Sequence, residues 1–235
     1  MGITVVVGVE AGVGRARAGS VNERGAVGDA GAQGKEVETL KTEGGPTLLL
    51  DHADNTGSGG TQDVMTVIAE VLHQDLQDVA VATVWDPAAV AAMKEAGPGA
   101  TVSLDLGGKT DMPSLNRTGQ PLPVTGIVEG LSDGRFTVEG PMYTGVEISC
   151  GPTALLRVQG VRLIVTSLHH EPWDIGVFRM MGIDPTRTKY LLLKSRIHYR
   201  AGFGTLAQHT LTLDGDGVTT SDNAKLAYKA LRRPI

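Results

Sequence analysis

The chain has 235 residues, of which 41% are hydrophobic and 20% charged, and its formal net charge is -5. The length and balance suit a globular protein with a sizeable core, and the acidic charge argues against a general nucleic-acid binder, whose usual footprint is a basic face. The single cysteine, Cys150, excludes an internal disulfide framework and a cysteine-rich zinc site, so we expect a reducing, cytoplasmic location.

Residues 1–45 differ in composition from the rest of the chain. They contain 11 of the 32 glycines and no aromatic residue, and residues 15–34 show neither helical nor alternating apolar periodicity. We therefore predict a poorly ordered segment or a spurious start here, and a single folded domain over residues 46–235. The glycines near the start lack the lysine and hydroxyl residue that complete a phosphate-binding loop. No apolar run reaches the roughly 18 residues of a membrane helix.

The segment after Pro46 predicts two strand–helix units in series. Residues 48–50 form a short apolar strand, a glycine-rich loop follows, and five apolar residues then recur at helical spacing. These five residues are Val64, Val67, Ile68, Val71 and Leu72. A second strand is predicted over residues 79–84, with Asp86, Pro87 and Gly97 as the cap, first-turn proline and end of the next helix. Units of this kind indicate a parallel sheet.

The middle of the chain predicts an antiparallel meander. Alternating or apolar runs cover residues 101–106, 124–131, 134–140, 146–158 and 161–168, and the pair Asp133–Gly134 predicts a hairpin turn. Asp174 is then expected to cap a short helix that Gly182 ends, and residues 189–199 predict a final strand. The predicted fold class is α/β: a mixed sheet with an α/β N-terminal half, an antiparallel middle section and flanking helices.

The loop after the first strand, residues 51–60, contains the densest group of polar and glycine residues. Three interpretations remain open for it. Asp51, His52 and Asp54 could ligate a divalent metal. The glycine loop could present backbone amides to an anion at a helix start, with Ser58 or Thr61 as the cap. It could also be a structural turn, in which side-chain oxygens bind nearby amides and glycines supply positive φ.

Two further segments could carry a function. Asp105 is predicted on the polar side of its strand, and Gly107 and Gly108 at the strand end would let a ligand or another backbone approach. Lys194, Arg196, His198 and Arg200 fall at period two, so on a strand they would share one face. That face could hold a carboxylate or phosphate, or it could protect an edge strand from aggregation.

His169, His170 and Glu171 look like a metal motif at first sight. Adjacent residues on a strand point to opposite faces, so the two histidines cannot easily share one ion. The chain also contains no HExxH pair. No self-sufficient catalytic centre is evident from these residue patterns.

From about residue 46 to residue 235, the chain resembles the C-terminal domain of the microcystinase C (MlrC-type) metallopeptidase family. The matching segments, in order, are LLLDHADNTGSGG, TVSLDLGGKTD, GPMYTGVEISCGPTALLRVQGVRLIVTS, FRMMGIDPTRTKYLLLKSRIHYRAGF and LAYKALRRPI. The resemblance implies part of a two-domain zinc hydrolase that cuts small or linearised peptides. It implies zinc as cofactor, with the zinc ligands on an N-terminal domain that this chain does not carry.

The resemblance also implies a set of residues that line the cleft between the two domains, where pockets preferentially form. These residues are Asp51, Asn55, Gly57, Gly59, Gly60, Asp105, Gly107, Gly108, Lys194 and His198. No metal ligand and no catalytic residue is assigned among them. The expected partners are a peptide or other small carboxylate-bearing substrate and a separately encoded zinc-binding domain, with no nucleic acid and no membrane.

Three hypotheses for the function follow. The first is a cleft-forming domain of a zinc-dependent peptidase that is inactive alone. The second is a non-catalytic anion- or peptide-binding module, or a gene fragment without activity of its own. The third is an autonomous enzyme whose metal is held by Asp51, His52 and Asp54.

Overall fold

The structure is a computed structural model that describes residues 9–10 and 46–222, together with residues 226, 228, 230 and 232. The strands are β1 (Val9–Glu10), β2 (Thr47–Asp51), β3 (Val79–Trp85), β4 (Thr101–Leu106), β5 (Leu122–Ser132), β6 (Arg135–Thr137), β7 (Glu147–Ser149), β8 (Thr153–Val158), β9 (Val161–Thr166), β10 (Tyr190–Leu193) and β11 (His209–Leu213). The α-helices are α1 (Thr66–His73), α2 (Pro87–Ala96), α3 (Gly176–Arg179) and α4 (Tyr199–Phe203). The prediction for residues 1–45 lies outside the described residues, apart from β1.

Nine of the strands form one mixed sheet in the order β1-β11-β2-β10-β3-β9-β8-β5-β4, and β6 and β7 form a separate pair. The five neighbours from β11 to β9 run parallel, whereas β8, β5 and β4 alternate in direction. The predicted fold class, with its parallel first half and antiparallel middle, is confirmed. Of the helices in the described residues, none is both long and apolar enough to cross a membrane.

Helices cover both faces of the parallel part of the sheet. One apolar cluster joins α1 and α2 to Leu49 of β2 and Leu192 of β10, and a second joins α3 and α4 to Leu48 and Leu191. Because both faces are buried, β2, β3 and β10 are nearly continuous apolar runs. β4 instead alternates between exposed and partly buried residues, as expected of a strand with one solvated face.

The predicted first strand–helix units form, but their strands are not neighbours. β10 lies between β2 and β3 and is parallel to both. The predicted cap of α2 is confirmed, since the Asp86 carboxylate accepts a hydrogen bond from the Ala89 amide at 3.0 Å and Gly97 ends the helix at φ +81°. α1 begins at Thr66, and the residue before it makes no side-chain cap.

Three predicted elements are wrong. The predicted last strand stops at Leu193, and the chain then turns into α4. The residues at 133–134 do form a turn, but β5 pairs with β8 and β6 pairs with β7, so no hairpin forms. The run 146–158 is divided into β7 and β8, which belong to different sheets. β11 was not predicted at all, because HTLTL is short and its residues are mostly half-buried.

Candidate functional site

The polar clusters of the protein lie where the parallel strands end. The chain leaves β2 towards α1 on one face of the sheet, and it leaves the neighbouring β10 towards α4 on the other face. Strands whose outgoing loops diverge in this way form a topological switch point, which is where open α/β sheets bind their ligands. Asp51 ends β2 and Lys194 follows β10, so both lie at this point.

Lys194 is the centre of a buried ionic cluster. Its side chain is fully buried, and its Nζ lies 2.8 Å from Asp51 Oδ2 and 2.8 Å from Asp54 Oδ2. It also donates to the Val64 carbonyl at 2.6 Å, so all three of its N–H groups have acceptors. The two carboxylates hold the pKa of Lys194 above its ordinary value in spite of the burial. Lys194 therefore stays charged and fixes the loop after β2.

The same cluster extends to the end of β11. His52 Nε2 lies 3.3 Å from Asp214 Oδ1, and the Thr220 hydroxyl donates to the same carboxylate at 2.9 Å. Asp51 Oδ1 is buried and has no hydrogen-bond partner among the described residues. Burial, offset in part by Lys194, raises the pKa of Asp51 to about 6. Two ends of parallel strands, β2 and β11, are thus tied together by polar contacts.

This cluster does not fit a metal ion. The ammonium of Lys194 already lies between Asp51 and Asp54, and a divalent cation there would be repelled by it. His52 is directed at Asp214 instead. Within the described residues, no three His, Cys, Asp or Glu side chains are arranged to hold a metal. All six histidines and Cys150 belong to these described residues. The interpretation of Asp51, His52 and Asp54 as a metal centre is wrong for this geometry.

The glycine-rich loop folds around its own polar side chains, and it does not lead directly into helix α1. Asn55 Oδ1 accepts from the Gly57 amide at 2.9 Å, and Gly59 takes a left-handed conformation at φ +92°. Asp54 accepts the amides of Gln62 and Val64 at 2.7 and 2.9 Å. Since α1 starts only at Thr66, the predicted anion cradle at its N-terminus is wrong, and Ser58 and Thr61 do not cap it.

A second buried carboxylate, Glu171, lies beside this loop. Its Oε1 accepts from the Ser195 hydroxyl at 2.8 Å, and its Oε2 lies 2.8 Å from His198 Nδ1. Glu171 is buried, whereas the His198 side chain is 48% exposed. A Cβ at position 57 would collide with Glu171 Oε2, so Gly57 is needed for the close approach of the loop. We refer to Glu171 and His198 as the Glu–His dyad.

Gln62 connects the loop after β2 to the segment after β9. Its side chain accepts from the His170 amide at 3.0 Å and donates to the His170 carbonyl at 2.7 Å, so it binds that backbone as a neighbouring strand would. The His169 ring stacks on Trp85 with centroids 4.4 Å apart. The His170 ring is buried beside Trp173, and burial lowers its pKa to about 4. His170 is therefore neutral at pH 7.

The glycine turn of the second predicted segment packs near the loop after β2, whereas Asp105 of the same segment does not. Asp86 Oδ2 accepts from the Gly107 amide at 3.0 Å, and the Asp63 carbonyl accepts from the Gly108 amide at 2.5 Å. A Cβ at position 107 would lie 2.6 Å from the Met65 sulfur, so the turn packs directly against the loop before α1. Asp105, by contrast, is exposed on the solvent side of β4, as its alternation predicted.

The predicted basic face does not exist, because its residues are not on a strand. Lys194 is buried, His198 bonds to Glu171, and Arg196 and Arg200 are exposed on the turn and on α4. The sequence reasoning also missed Glu171, Gln62 and Asp86 as residues that position this region. A helix-capping signal marked Asp86, but only the fold shows that the same carboxylate pairs with Lys109, at 2.7 Å.

Comparison with known proteins identifies relatives of this chain. The family described as the MlrC C-terminus matches residues 49–230. Microcystinase C of Sphingomonas sp. is 32% identical over 167 residues, which are 71% of this chain and 31% of that protein.

A crystal structure from Mesorhizobium sp. BNC1, named for an inferred metallopeptidase activity, superposes with a TM-score of 0.73. It is 27% identical in sequence, and the match covers 85% of this chain and 39% of that one. The chain therefore spans less than half the length of each of these two relatives.

Proposed function

The chain belongs to the MlrC C-terminal domain family, and from this premise we propose that it forms the substrate-side wall of a metallopeptidase-type cleft. The observation that carries the proposal is the family match over residues 49–230, which includes every polar cluster of the sheet edge. The substrate would be a small or linear peptide, and the cofactor would be zinc, as the resemblance to metallopeptidases implies. Both relatives extend well beyond the region that they share with this chain.

The metal would be held by another domain. The described residues contain no ligand set that fits zinc, and the one dense acidic cluster is neutralised by Lys194. Structural and catalytic zinc sites draw mainly on histidine and cysteine, and every such residue of this chain lies in the described part. A zinc-binding domain is the partner that would complete the cleft.

The residues of this chain would contribute rigidity and ligand contacts. The Lys194 cluster fixes the loop after β2 relative to β10, because breaking a buried ion pair by removing one partner costs on the order of 3–5 kcal/mol. Polar groups held on such a rigid edge can orient a peptide without reorganising when it binds. The buried single thiol of Cys150 supports a reducing, cytoplasmic location for the protein.

Reconstitution tests the proposal. The chain would be mixed or co-expressed with the part of the Sphingomonas microcystinase C that it does not match, and cleavage of linear peptides would be followed by mass spectrometry. We expect zinc-dependent cleavage from the combination and none from either part alone. The control is the same mixture with zinc removed by a chelator. Zinc-dependent cleavage by this chain alone would contradict the need for a second domain, and no cleavage by the soluble complex would contradict the function.

A further inference from the structure

The Glu–His dyad lies at the same sheet edge as the Lys194 cluster and shares no residue with it. Lys194 has no N–H left for a ligand, because its three donors are taken by Asp51, Asp54 and Val64. His198 combines exposure with a fixed orientation: its side chain is 48% exposed and bonded to a buried carboxylate.

The dyad determines which ring nitrogen faces outward. An ionised carboxylate only accepts hydrogen bonds, so the 2.8 Å contact with Glu171 places a proton on His198 Nδ1. The other nitrogen, Nε2, points away from the buried Glu171 carboxylate, and the His198 side chain as a whole is 48% exposed. Nε2 donates a hydrogen bond to an anion only in the imidazolium form, in which both ring nitrogens carry a proton.

Three contacts hold the carboxylate in position. The Ser195 hydroxyl occupies Glu171 Oε1 at 2.8 Å, which leaves Oε2 for the imidazole. The backbone of Gly57 lies against the same oxygen, where no side chain would fit. Residues from the loops after β2, β9 and β10 thus meet at one carboxylate, and this is the arrangement of a positioned group rather than of a surface ion pair.

Exposed apolar and cationic residues adjoin the dyad in the sequence. Ile197, next to His198 in the chain, is 56% exposed, and Arg196 adds an exposed cation. The amide of Trp173 donates to the Glu171 carbonyl at 3.0 Å, and the Trp173 ring lies edge-on to the exposed Tyr143 at 6.1 Å.

We propose that His198, positioned by Glu171, binds a carboxylate oxygen of the ligand through Nε2–H, and that the ligand is a peptide with a free C-terminal carboxylate. The assignment rests on the proposed function for the choice of a peptide, whereas the carboxylate site itself follows from the dyad. Glu171 is a positioning residue, since it acts through the imidazole. Arg196 is an exposed cation two positions before His198 in the chain.

Titration followed by NMR of the histidine ring nitrogens tests the site in the full chain. The probes are N-acetyl-dialanine, its C-terminal amide, acetate and inorganic phosphate. We expect the free-acid peptide to move the Nε2 resonance of His198, acetate to do so more weakly and the amide to leave it unchanged. An equal response to acid and amide overturns the proposal, as does a preference for phosphate or a shift confined to other histidines.

Variants distinguish an effect of the dyad on binding from a general effect of positive charge. His198→Gln should weaken binding of the acid peptide at least about tenfold, since a charge-assisted hydrogen bond contributes about 1.5–3 kcal/mol. Glu171→Gln and Gly57→Ala should each weaken it several-fold and change the ring tautomer of His198. Arg200→Gln removes one exposed positive charge from α4 and serves as the matched control, with an expected change below about twofold. Equal losses in the control and in His198→Gln would overturn the proposal.

The inference and the proposed function can fail independently. If the acid peptide binds at His198 but the reconstituted complex cleaves nothing, the function fails and the carboxylate site stands. If the complex cleaves peptides and His198→Gln leaves KM and kcat unchanged, the carboxylate site fails and the function stands.

Discussion

At the scale of single residues, burial decides which polar groups are available to a ligand. Lys194 and His198 are four positions apart, yet one is fully buried among carboxylates and the other is half exposed. Burial also moves two protonation equilibria in opposite directions, because it disfavours whichever form is charged. It raises the pKa of Asp51 to about 6 and lowers that of His170 to about 4.

These two shifts predict opposing effects of pH on stability. The folded state binds the Asp51 proton more tightly than the unfolded state, so this contribution falls as pH rises from about 4 to 6. The unfolded state binds the His170 proton more tightly, so that contribution rises with pH from about 4 to 6.5. Each is worth about 3 kcal/mol at most, and together they largely cancel.

Urea unfolding between pH 4 and 7 measures the two contributions separately. Asp51→Asn should leave the His170 contribution alone, so the free energy of unfolding should rise with pH more steeply than in the parent. In His170→Phe, which keeps a ring beside Trp173, the free energy of unfolding should fall with pH relative to the parent. Parallel profiles for the three proteins would show that neither group is shifted.

At the scale of elements, the helix cap of α2 also anchors a loop from a distant strand. Asp86 accepts from Ala89 within its own helix, from the Gly107 amide and from Lys109 Nζ. One buried carboxylate thus fixes the start of α2 and the turn after β4. The local capping signal is readable in the sequence, but the second role is not, because it joins residues 21 and 23 positions apart.

Asp86→Ala is therefore expected to cost more than a helix cap. Loss of the cap costs about 1 kcal/mol, and leaving the buried Gly107 amide without an acceptor adds about 1–3 kcal/mol. The half-exposed Lys109 adds little. Denaturant unfolding should show a loss of about 2–4 kcal/mol. Asp105→Ala, an exposed carboxylate on β4, is the control, with an expected change within about 0.5 kcal/mol. A loss below about 1 kcal/mol for Asp86→Ala would refute the dual role.

At the scale of the whole molecule, the fold brings five parallel strand ends together and gathers the polar clusters there. Helices on both faces fix the strand order, and β10 between β2 and β3 creates the switch point. The edge so formed carries a neutralised ionic cluster and a Glu–His dyad, but no metal ligand set within the described residues. Under the proposed function, this edge would be the wall of the cleft.

The whole-molecule prediction concerns zinc. A ligand that binds only the folded state raises Tm. At a hundredfold excess over Kd, it stabilises the folded state by about 2.7 kcal/mol. Because the described residues offer no zinc site, neither excess zinc nor a chelator should change Tm by more than about 1 °C. Differential scanning calorimetry with metal analysis of the purified chain checks this. A zinc-dependent rise in Tm with one bound ion per chain would contradict it.

The sequence by itself determined the fold class, the cap and end of α2 and the polar side of β4. It did so because apolar periodicity and turn chemistry act over a few residues. It also identified the segments at 51–60 and 194–200 as candidate functional segments, without their roles. Their roles as cleft-lining residues stay a prediction.

Only the tertiary structure decided which polar groups meet. Lys194 reaches Asp51 across 143 positions of sequence, and Glu171 reaches His198 across 27. The predicted basic face does not form, because the strand ends at Leu193 and helix α4 begins at Tyr199. After Leu193 the apolar run is followed by polar side chains that bond to residues of other loops. Strand order is set by the packing of whole faces against each other, and it alone determines which side chains share the carboxyl edge of the sheet.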